Sequence, residues 1–375
     1  MLVRKPPMGW NSWNTFGENI NADLIKETAD AFVANGLDKA GYEYLVIDDC
    51  WSERERDKET EKIVPDKIKF PNGMKDVSDY VHSKGIKFGM YSCAGVRTCA
   101  DYPGSFDHEF LDAETFAEYG ADFLKYDFCY KPLSSDGPLL YHRMGTALEH
   151  CGREILFSAC NWGSDNVHRW IRSTGASMYR STGDINDSFG SFKDILLSQE
   201  KLFGFSAPGC FNDIDMLTVG MYGKGNVGNV GCNDTDYKTQ FSLWCLFGVP
   251  LMLGCDLRNM NEQTLKLITN PDLIAINQDE ECRQPFRIFN SDERYVFARR
   301  LSGGEFAFGF FNLGERRSNC VMYPFEVGVT ANSGYEFTLR DCFTGEVHTG
   351  VKNNFAVYLD PHDCAVFRGK LVRSK

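Results

Sequence analysis

A parallel (β/α)₈ barrel followed by an antiparallel β-sandwich is the fold this sequence predicts, and three observations predict it. Between residues 7 and 277, eight short apolar runs alternate with segments of helical period, and eight βα units in ~250 residues make one barrel of this kind. From Gln284 onward the helical period disappears, and strand-like runs alternate with turn clusters such as Ser302-Gly-Gly304. At 375 residues the chain is also too long for one ordinary domain. The boundary is expected between Asp279 and Pro285, giving a barrel over 1–281 and a small antiparallel β domain over 282–375.

The elements follow in order. Pro7-Met-Gly-Trp-Asn-Ser-Trp13 reads as the first strand, after which Asn21 can cap a helix with Ile25, Ala29, Phe32 and Val33 on one face and Gly36 at its end. Tyr44-Leu-Val-Ile-Asp48 is an apolar run closed by an acid, as buried parallel strands are. A helix over 74–83, a strand over 87–91 and a helix over 110–119 lead to the fourth strand, Phe123-Leu-Lys-Tyr-Asp127. Then come a helix over 139–150, a strand over 155–159, a short helix near 167–172, a strand over 178–180 and a helix over 192–202. A weak seventh strand is expected at Phe211, a helix over 236–246, an eighth strand over 249–253 and helical segments over 261–277. In the second domain, strands are expected over 294–299, 305–311, 335–339 and 354–359.

Composition narrows the function. Twenty-nine Phe and sixteen Tyr are a surplus of aromatics that suits a ring-binding cleft or simply fills core. A formal net charge of −12 and the lack of a basic stripe argue against nucleic-acid partners. The pairs Arg299-Arg300 and Arg316-Arg317 read as solvated faces or edge protection. No window reaches the ~18 consecutive apolar residues of a membrane helix, and no signal peptide precedes the first strand. With Met1 as the native start, a cytoplasmic location is expected. The fourteen cysteines are spread without CxxC pairs, so most are expected to be reduced, buried thiols.

Chemistry concentrates where strands end. Strand side chains alternate with a period of two, so Lys125 and Asp127 leave the same face, at the carboxyl end where barrels present reactive groups. On that segment alone, a buried ion pair explains the two residues as well as catalysis does. The other strand ends carry Trp10 and Trp13, Asp48 and Asp49, Tyr91, Asn161, Arg180 with Asp184, and Asp213 with Asp215. Carboxylates, a lysine, an arginine and aromatics without a histidine fit a neutral polyhydroxylated ligand. Carboxylates accept from hydroxyls, cations donate to them, and rings cover pyranose faces. Glycoside hydrolysis needs two carboxyl groups about the scissile bond, for which Asp127 and Asp184 are the best-placed pair. The acids at 48–49 and 212–215 are also the residue types of a hard-cation site, but Phe211 and Ile214 interleave the second group and a lysine and an arginine share the mouth, so no metal or cofactor is expected. Gly220-Met-Tyr-Gly-Lys-Gly-Asn-Val-Gly228 is glycine-rich yet opens no helix in phosphate-binding register, and the seven histidines read as structural.

The chain resembles glycoside hydrolase family 27, the α-galactosidases and α-N-acetylgalactosaminidases. The resemblance rests on Pro7–Trp13, Ile47-Asp-Asp-Cys-Trp51, Leu124-Lys-Tyr-Asp-Phe-Cys129, Arg180 with Asp184–Ser188, Asn212-Asp-Ile-Asp-Met216 and Ala275-Ile-Asn-Gln-Asp279, in family order. It implies an exo-acting retaining enzyme with Asp127 as nucleophile, Asp184 as acid/base and carboxyl groups ~5–5.5 Å apart. It further implies Trp13, Asp48, Asp49, Tyr91, Lys125, Arg180 and Asp215 as contacts to a terminal α-galactose, with Lys125 also keeping Asp127 ionised. Cys99 would face Cys129 as a candidate disulfide pair, which the cytoplasmic location expected above disfavours. Asn161 stands where α-galactosidases often carry an acid that contacts O2, and an amide can still bond that hydroxyl. The paired Asp48 and Asp49 favour a substrate with a C6 hydroxyl. The alternatives are an α-N-acetylgalactosaminidase, a β-L-arabinopyranosidase, or a galactose-binding module without turnover. A homo-oligomer is compatible with the sequence and not required by it.

Overall fold

The computed structural model describes residues 3–199, 202 and 204–374. Eight parallel strands run as β1 (Met8–Asn11), β2 (Tyr44–Val46), β3 (Lys87–Cys93), β4 (Phe123–Asp127), β5 (Leu156–Cys160), β6 (Met178–Arg180), β7 (Phe211–Asp213) and β8 (Leu251–Leu253). They are hydrogen-bonded in the order β7-β6-β5-β4-β3-β2-β1-β8. Just past β7, Leu217 pairs in parallel with Leu253; its N–H donates to Met252 O at 2.8 Å and its carbonyl accepts from Gly254 N at 3.1 Å. That bridge joins the two open edges, so the sheet closes into a barrel.

Helices start where side chains satisfy their free N–H groups. Asn21 accepts from Leu24 N at the head of Ala22–Ala34, Asp136 from Leu139 N before Gly137–His150, and Ser188 from Ser191 N before Phe189–Ser198. Asn233 and Asp236 form a reciprocal box at the start of Asp234–Phe247. The helix expected over 192–202 therefore begins three residues earlier, and positions 200 and 201 of that span lie outside the described residues.

Register stacks the barrel interior in layers. Tyr44, Val46, Phe123, Leu156, Met178, Phe211 and Met252 form an apolar floor, with Gly89 paired beside Val46 and Phe123. A Cβ at Gly89 would meet Val46 Cγ2 at 2.6 Å, so only glycine fits there. Two residues further along each strand, Tyr91 pairs with Lys125, Lys125 with Ser158, and Arg180 with Asp213. One more step up, Cys93 pairs with Asp127. Alternation thus lifts Lys125 and Asp127 off a hydrophobic floor toward the carboxyl-end mouth.

The second domain is a sandwich of a six-stranded antiparallel sheet, β14-β13-β16-β11-β10-β9, and a two-stranded sheet, β12-β15. The strands are β9 (Phe286–Ser291), β10 (Arg294–Arg300), β11 (Phe306–Asn312), β12 (Ser318–Met322), β13 (Tyr335–Asp341), β14 (Val347–Val351), β15 (Phe355–Leu359) and β16 (Cys364–Arg373). Val296, Phe308, Phe310, Met322, Phe337 and Leu359 are among the residues that fill the space between the sheets. The other face of the large sheet packs Phe297 and Phe311 into the main core, where Phe247 meets Phe297 edge-on at 5.3 Å. Four of these strands were not anticipated: exposed or polar residues interrupt β9, β12 and β14, and β16 opens on a buried run, Cys364–Phe367, without alternation before turning exposed.

Arg299 corrects the sequence expectation. It is fully buried, and its Nη1 donates to Cys245 O and Leu246 O, both at 3.1 Å. The guanidinium caps the C-terminal end of Asp234–Phe247, a favourable place for a cation. Burial pulls its pKa down to about 10. Arg300, Arg316 and Arg317 are exposed, as expected. Arg299→Ala is expected to destabilise the protein by about 3 kcal/mol, since it opens a cavity and strips two buried carbonyls of their donor. A urea midpoint equal to that of the parent would contradict this role.

Candidate active site

The mouth of the barrel is a cleft lined by Trp13, Asp48, Asp49, Tyr91, Lys125, Asp127, Arg180, Asp184 and Asp215, residues drawn from the ends of six strands. Nine of the ten residues expected to be catalytic or substrate-binding therefore meet in one place. Each is held by a distinct set of bonds.

Asp127 is buried, with Oδ2 accepting from Tyr91 OH and Oδ1 from Phe128 N, both at 3.0 Å. Burial pushes its pKa up to about 6, Lys125 pulls it down, and Asp48 pushes it up again. The buried ion pair that Lys125 and Asp127 could have formed is not made: Lys125 bonds Asp48, with Nζ to Oδ2 at 2.8 Å. Its charge still pulls the Asp127 pKa down, in the direction expected, although burial outweighs it. Burial also disfavours the charge on Lys125, but Asp48 and, to a lesser degree, Asp127 outweigh it and hold the ammonium above its ordinary range.

Asp48 Oδ2 also accepts from Asn11 Nδ2 at 2.6 Å, and Oδ1 from Asp49 N at 3.0 Å. Asp49 accepts from Cys50 N at 2.7 Å and Ala100 N at 3.1 Å, and burial raises its pKa. These bonds fix two carboxylates side by side while leaving lone pairs open to the cleft. With about four lone-pair sites on each carboxylate, the sites left open are suited to receive hydroxyl protons.

Across the cleft, Arg180 Nη2 pairs with Asp215 Oδ2 at 2.5 Å and Asp184 Oδ1 at 2.7 Å. Asp215 Oδ2 also accepts from Ile185 N at 2.7 Å, and Asp215 sits at φ 84°, a strained conformation for a non-glycine residue. Arg180 is buried, whereas the Asp184 side chain is 77% exposed. Asp184 is thus the solvent-facing acid of the site and Asp127 the enclosed one. Asp213, below this group, is pushed up to about 6 by burial, with Arg180 opposing.

Asn161 is the exception. It is buried but does not line the cleft; Nδ2 donates to Ser164 O at 2.9 Å. Because Ser158 and Cys160 face the barrel lumen, the next residue turns away from it. Cys160 and Trp162 line the cleft in its place, with Met216, Ile185 and Val227. The aromatic signal at Trp162 was present in Cys160-Asn-Trp-Gly163, one residue beyond the position chosen. Val227 lies in the glycine-rich segment that had been given no role.

Cys99 and Cys129 are joined by a disulfide, with Cα atoms 5.3 Å apart. Cys99 lies in the cleft wall. The other twelve cysteines are free, and eleven of them are buried. Among the described residues, Cys99, Asp127 and Cys129 are the only three potential ligands brought within 4.8 Å of one another. No helix among them is long and apolar enough to cross a membrane.

A barrel whose mouth gathers paired carboxylates, cations and indole rings is a site for cleaving or gripping sugars. Comparison with known proteins makes that specific. Residues 5–279 match the melibiase family described as alpha galactosidase A, and residues 291–368 match the alpha galactosidase C-terminal beta sandwich domain. An α-galactosidase of Cyamopsis tetragonoloba is 40% identical over 367 residues, 98% of this chain and 86% of that protein. The crystal structure of α-galactosidase I from Mortierella vinacea superposes with a TM-score of 0.89 at 29% identity, covering 98% of this chain and 97% of that one. A structure of the Saccharomyces cerevisiae α-galactosidase with raffinose gives 0.87 at 26% identity over 98% of each chain. The protein belongs to the melibiase family, glycoside hydrolase family 27, and is a glycoside hydrolase.

Proposed function

We propose that the protein hydrolyses terminal α-linked galactose from oligosaccharides or glycoconjugates, with retention of configuration. The observation that carries this reading is the convergence of an enclosed carboxylate, Asp127, and a solvent-facing one, Asp184, on a cleft whose other acids and cations are already bonded in place. Asp127 attacks C1 while Asp184 gives its proton to the departing glycosidic oxygen, leaving a galactosyl ester on Asp127. Asp184 then takes a proton from water, the oxygen of which attacks C1, breaks the ester bond and releases α-galactose. Asp48, Asp49 and Lys125 receive and donate bonds at O3, O4 and O6, and Trp13 and Tyr91 wall the ring. Arg180, with Asp215 behind it, serves O2; in doing so it exchanges its bond to Asp184 for one to the sugar, which frees Asp184 to meet the leaving group. Asn161 supports the Trp162 loop rather than contacting O2.

The raffinose bound to the yeast structure supports a short α-galactosyl oligosaccharide as substrate. Initial rates on the nitrophenyl glycosides of α-galactose, α-N-acetylgalactosamine and β-L-arabinopyranose test the assignment. Galactose is expected to lead by about tenfold or more in kcat/KM, because losing the C6 hydroxyl leaves Asp48 or Asp49 unpaired. A faster N-acetylgalactosaminide or arabinopyranoside would replace the reading, and no turnover of any would leave a binding module.

The attacking group must be ionised. With Asp127 held at about 6, kcat/KM is expected to fall roughly tenfold per pH unit on the acid side of that value. A profile flat down to pH ~4, the ordinary carboxylate range, would contradict the burial argument.

A further inference from the structure

The geometry points to Asp187 as a positioning residue for the acid/base, working through the glycine-rich segment that had no role in the sequence. The inference rests on Asp184 being that acid/base, three residues earlier in the same loop.

Asp187 is a carboxylate with no exposed surface, and among the described residues no cation pairs with it. It is held by neutral donors. Tyr237 OH bonds both oxygens, at 3.0 Å and 2.9 Å, and Gly223 N donates to Oδ2 at 2.6 Å. The Cys232 thiol is a further side-chain partner. A buried charge satisfied this way is costly to keep without a purpose and costly to disturb.

Its backbone completes the clamp. Asp187 N donates to Val227 O and Asp187 O accepts from Gly231 N, both at 3.0 Å. The far side of the same segment is stitched to the first strand's loop: Val227 N donates to Asn14 O at 3.0 Å, Asn226 N to Thr15 O at 3.1 Å, and Asn226 Nδ2 to Trp13 O at 3.3 Å. Segment 223–231 therefore spans from the Asp184 loop to the Trp13 wall, with Val227 facing the cleft. Asp187 is where that span is pinned. Its glycines are explained by this close packing; a Cβ on Gly225 would meet Thr15 Cα at 2.7 Å.

The Asp184 side chain is exposed and bonds Arg180 Nη2, so once that bond is exchanged for one to the sugar its aim depends on the backbone that carries it. Ile185 is tied to Asp215 on one side, and Asp187 to the span on the other. Loosening the second tie should misplace the proton donor without altering Asp127, Asp48 or Lys125.

The test is the leaving group. General acid catalysis is needed to expel methanol or a sugar and is nearly dispensable for dinitrophenolate. In Asp187→Asn, one oxygen becomes an NH2 group that cannot accept, so the side chain can no longer take the Tyr237, Gly223 and Cys232 donors together. The kcat/KM of the full-length variant is expected to fall about tenfold or more on methyl α-galactoside and no more than about threefold on 2,4-dinitrophenyl α-galactoside. A merely structural defect lowers both in the same ratio, and that result, or no change on either, overturns the inference. Tyr237→Phe removes the hydroxyl that donates to Asp187 and accepts from Tyr222 N; it is read the same way and decides the matter if Asp187→Asn is not recovered folded. Asp184→Ala is run beside them. If it too shows equal falls, the acid/base assignment is overturned and the inference with it.

Discussion

Asp127→Asn is expected to lower kcat on nitrophenyl α-galactoside by on the order of 10⁴-fold, the scale on which removing a covalent nucleophile is felt. The amide keeps the size of the side chain and can still accept from Tyr91, so the cleft should keep its shape. It also removes a buried charge that burial already disfavours, so the variant is expected to be no less stable than the parent. Galactose binding should stay measurable, for example through quenching of Trp13 and Trp162, which line the cleft. A small side chain at this position, as in Asp127→Gly, opens room for azide to attack C1 directly, and the product should be β-galactosyl azide. A variant that turned over at near-parental rate would show that another group attacks.

Asp184→Ala is expected to give a different pattern, because the acid/base is used in both steps. On methyl α-galactoside kcat/KM should fall by about 10³-fold, within the range general acid–base catalysis contributes. On the dinitrophenyl substrate the first step should be nearly preserved, and the galactosyl ester should accumulate because nothing deprotonates water. Azide, which needs no base, should restore turnover and give α-galactosyl azide, opposite in configuration to the product of the Asp127 variant. Loss of activity on both substrates with no azide rescue would remove Asp184 from the role. The exposure of this side chain makes wholesale unfolding an unsatisfying explanation of any loss, since little packing is removed.

The barrel was legible because its strands carry the signal that matters for burial on both faces: short apolar runs, some closed by an acid as at Asp127 and Asp213, alternating with segments of helical period. β4 matched over Phe123–Asp127 to the residue. The sandwich was half legible. Strands such as β11, apolar along most of its length, were found, whereas β9 and β14 show mostly exposed or partly exposed positions and lack a clean alternation. Periodicity also placed Lys125 and Asp127 on one face correctly, but it could not say which neighbour the lysine prefers. That choice depends on Asp48, 77 residues away, reaching Nζ at 2.8 Å. Arg299 was misjudged for a similar reason: a basic pair at a strand end looks solvated until the helix end it caps is known. Asn161 was a parity error, since one residue past the end of β5 the side chain leaves the lumen. Asp187 carried no signal of its own, because its partners Gly223 and Tyr237 come from a later segment of the chain.

The most direct measurement of the central claim is peptide mapping after turnover with 5-fluoro-α-galactosyl fluoride, which forms the covalent intermediate faster than it is hydrolysed. The account predicts a fluorogalactosyl adduct on the peptide containing Asp127, on that residue, and its disappearance from Asp127→Asn. An adduct on any other residue, or none while first-formed galactose emerges with inverted configuration, would contradict it.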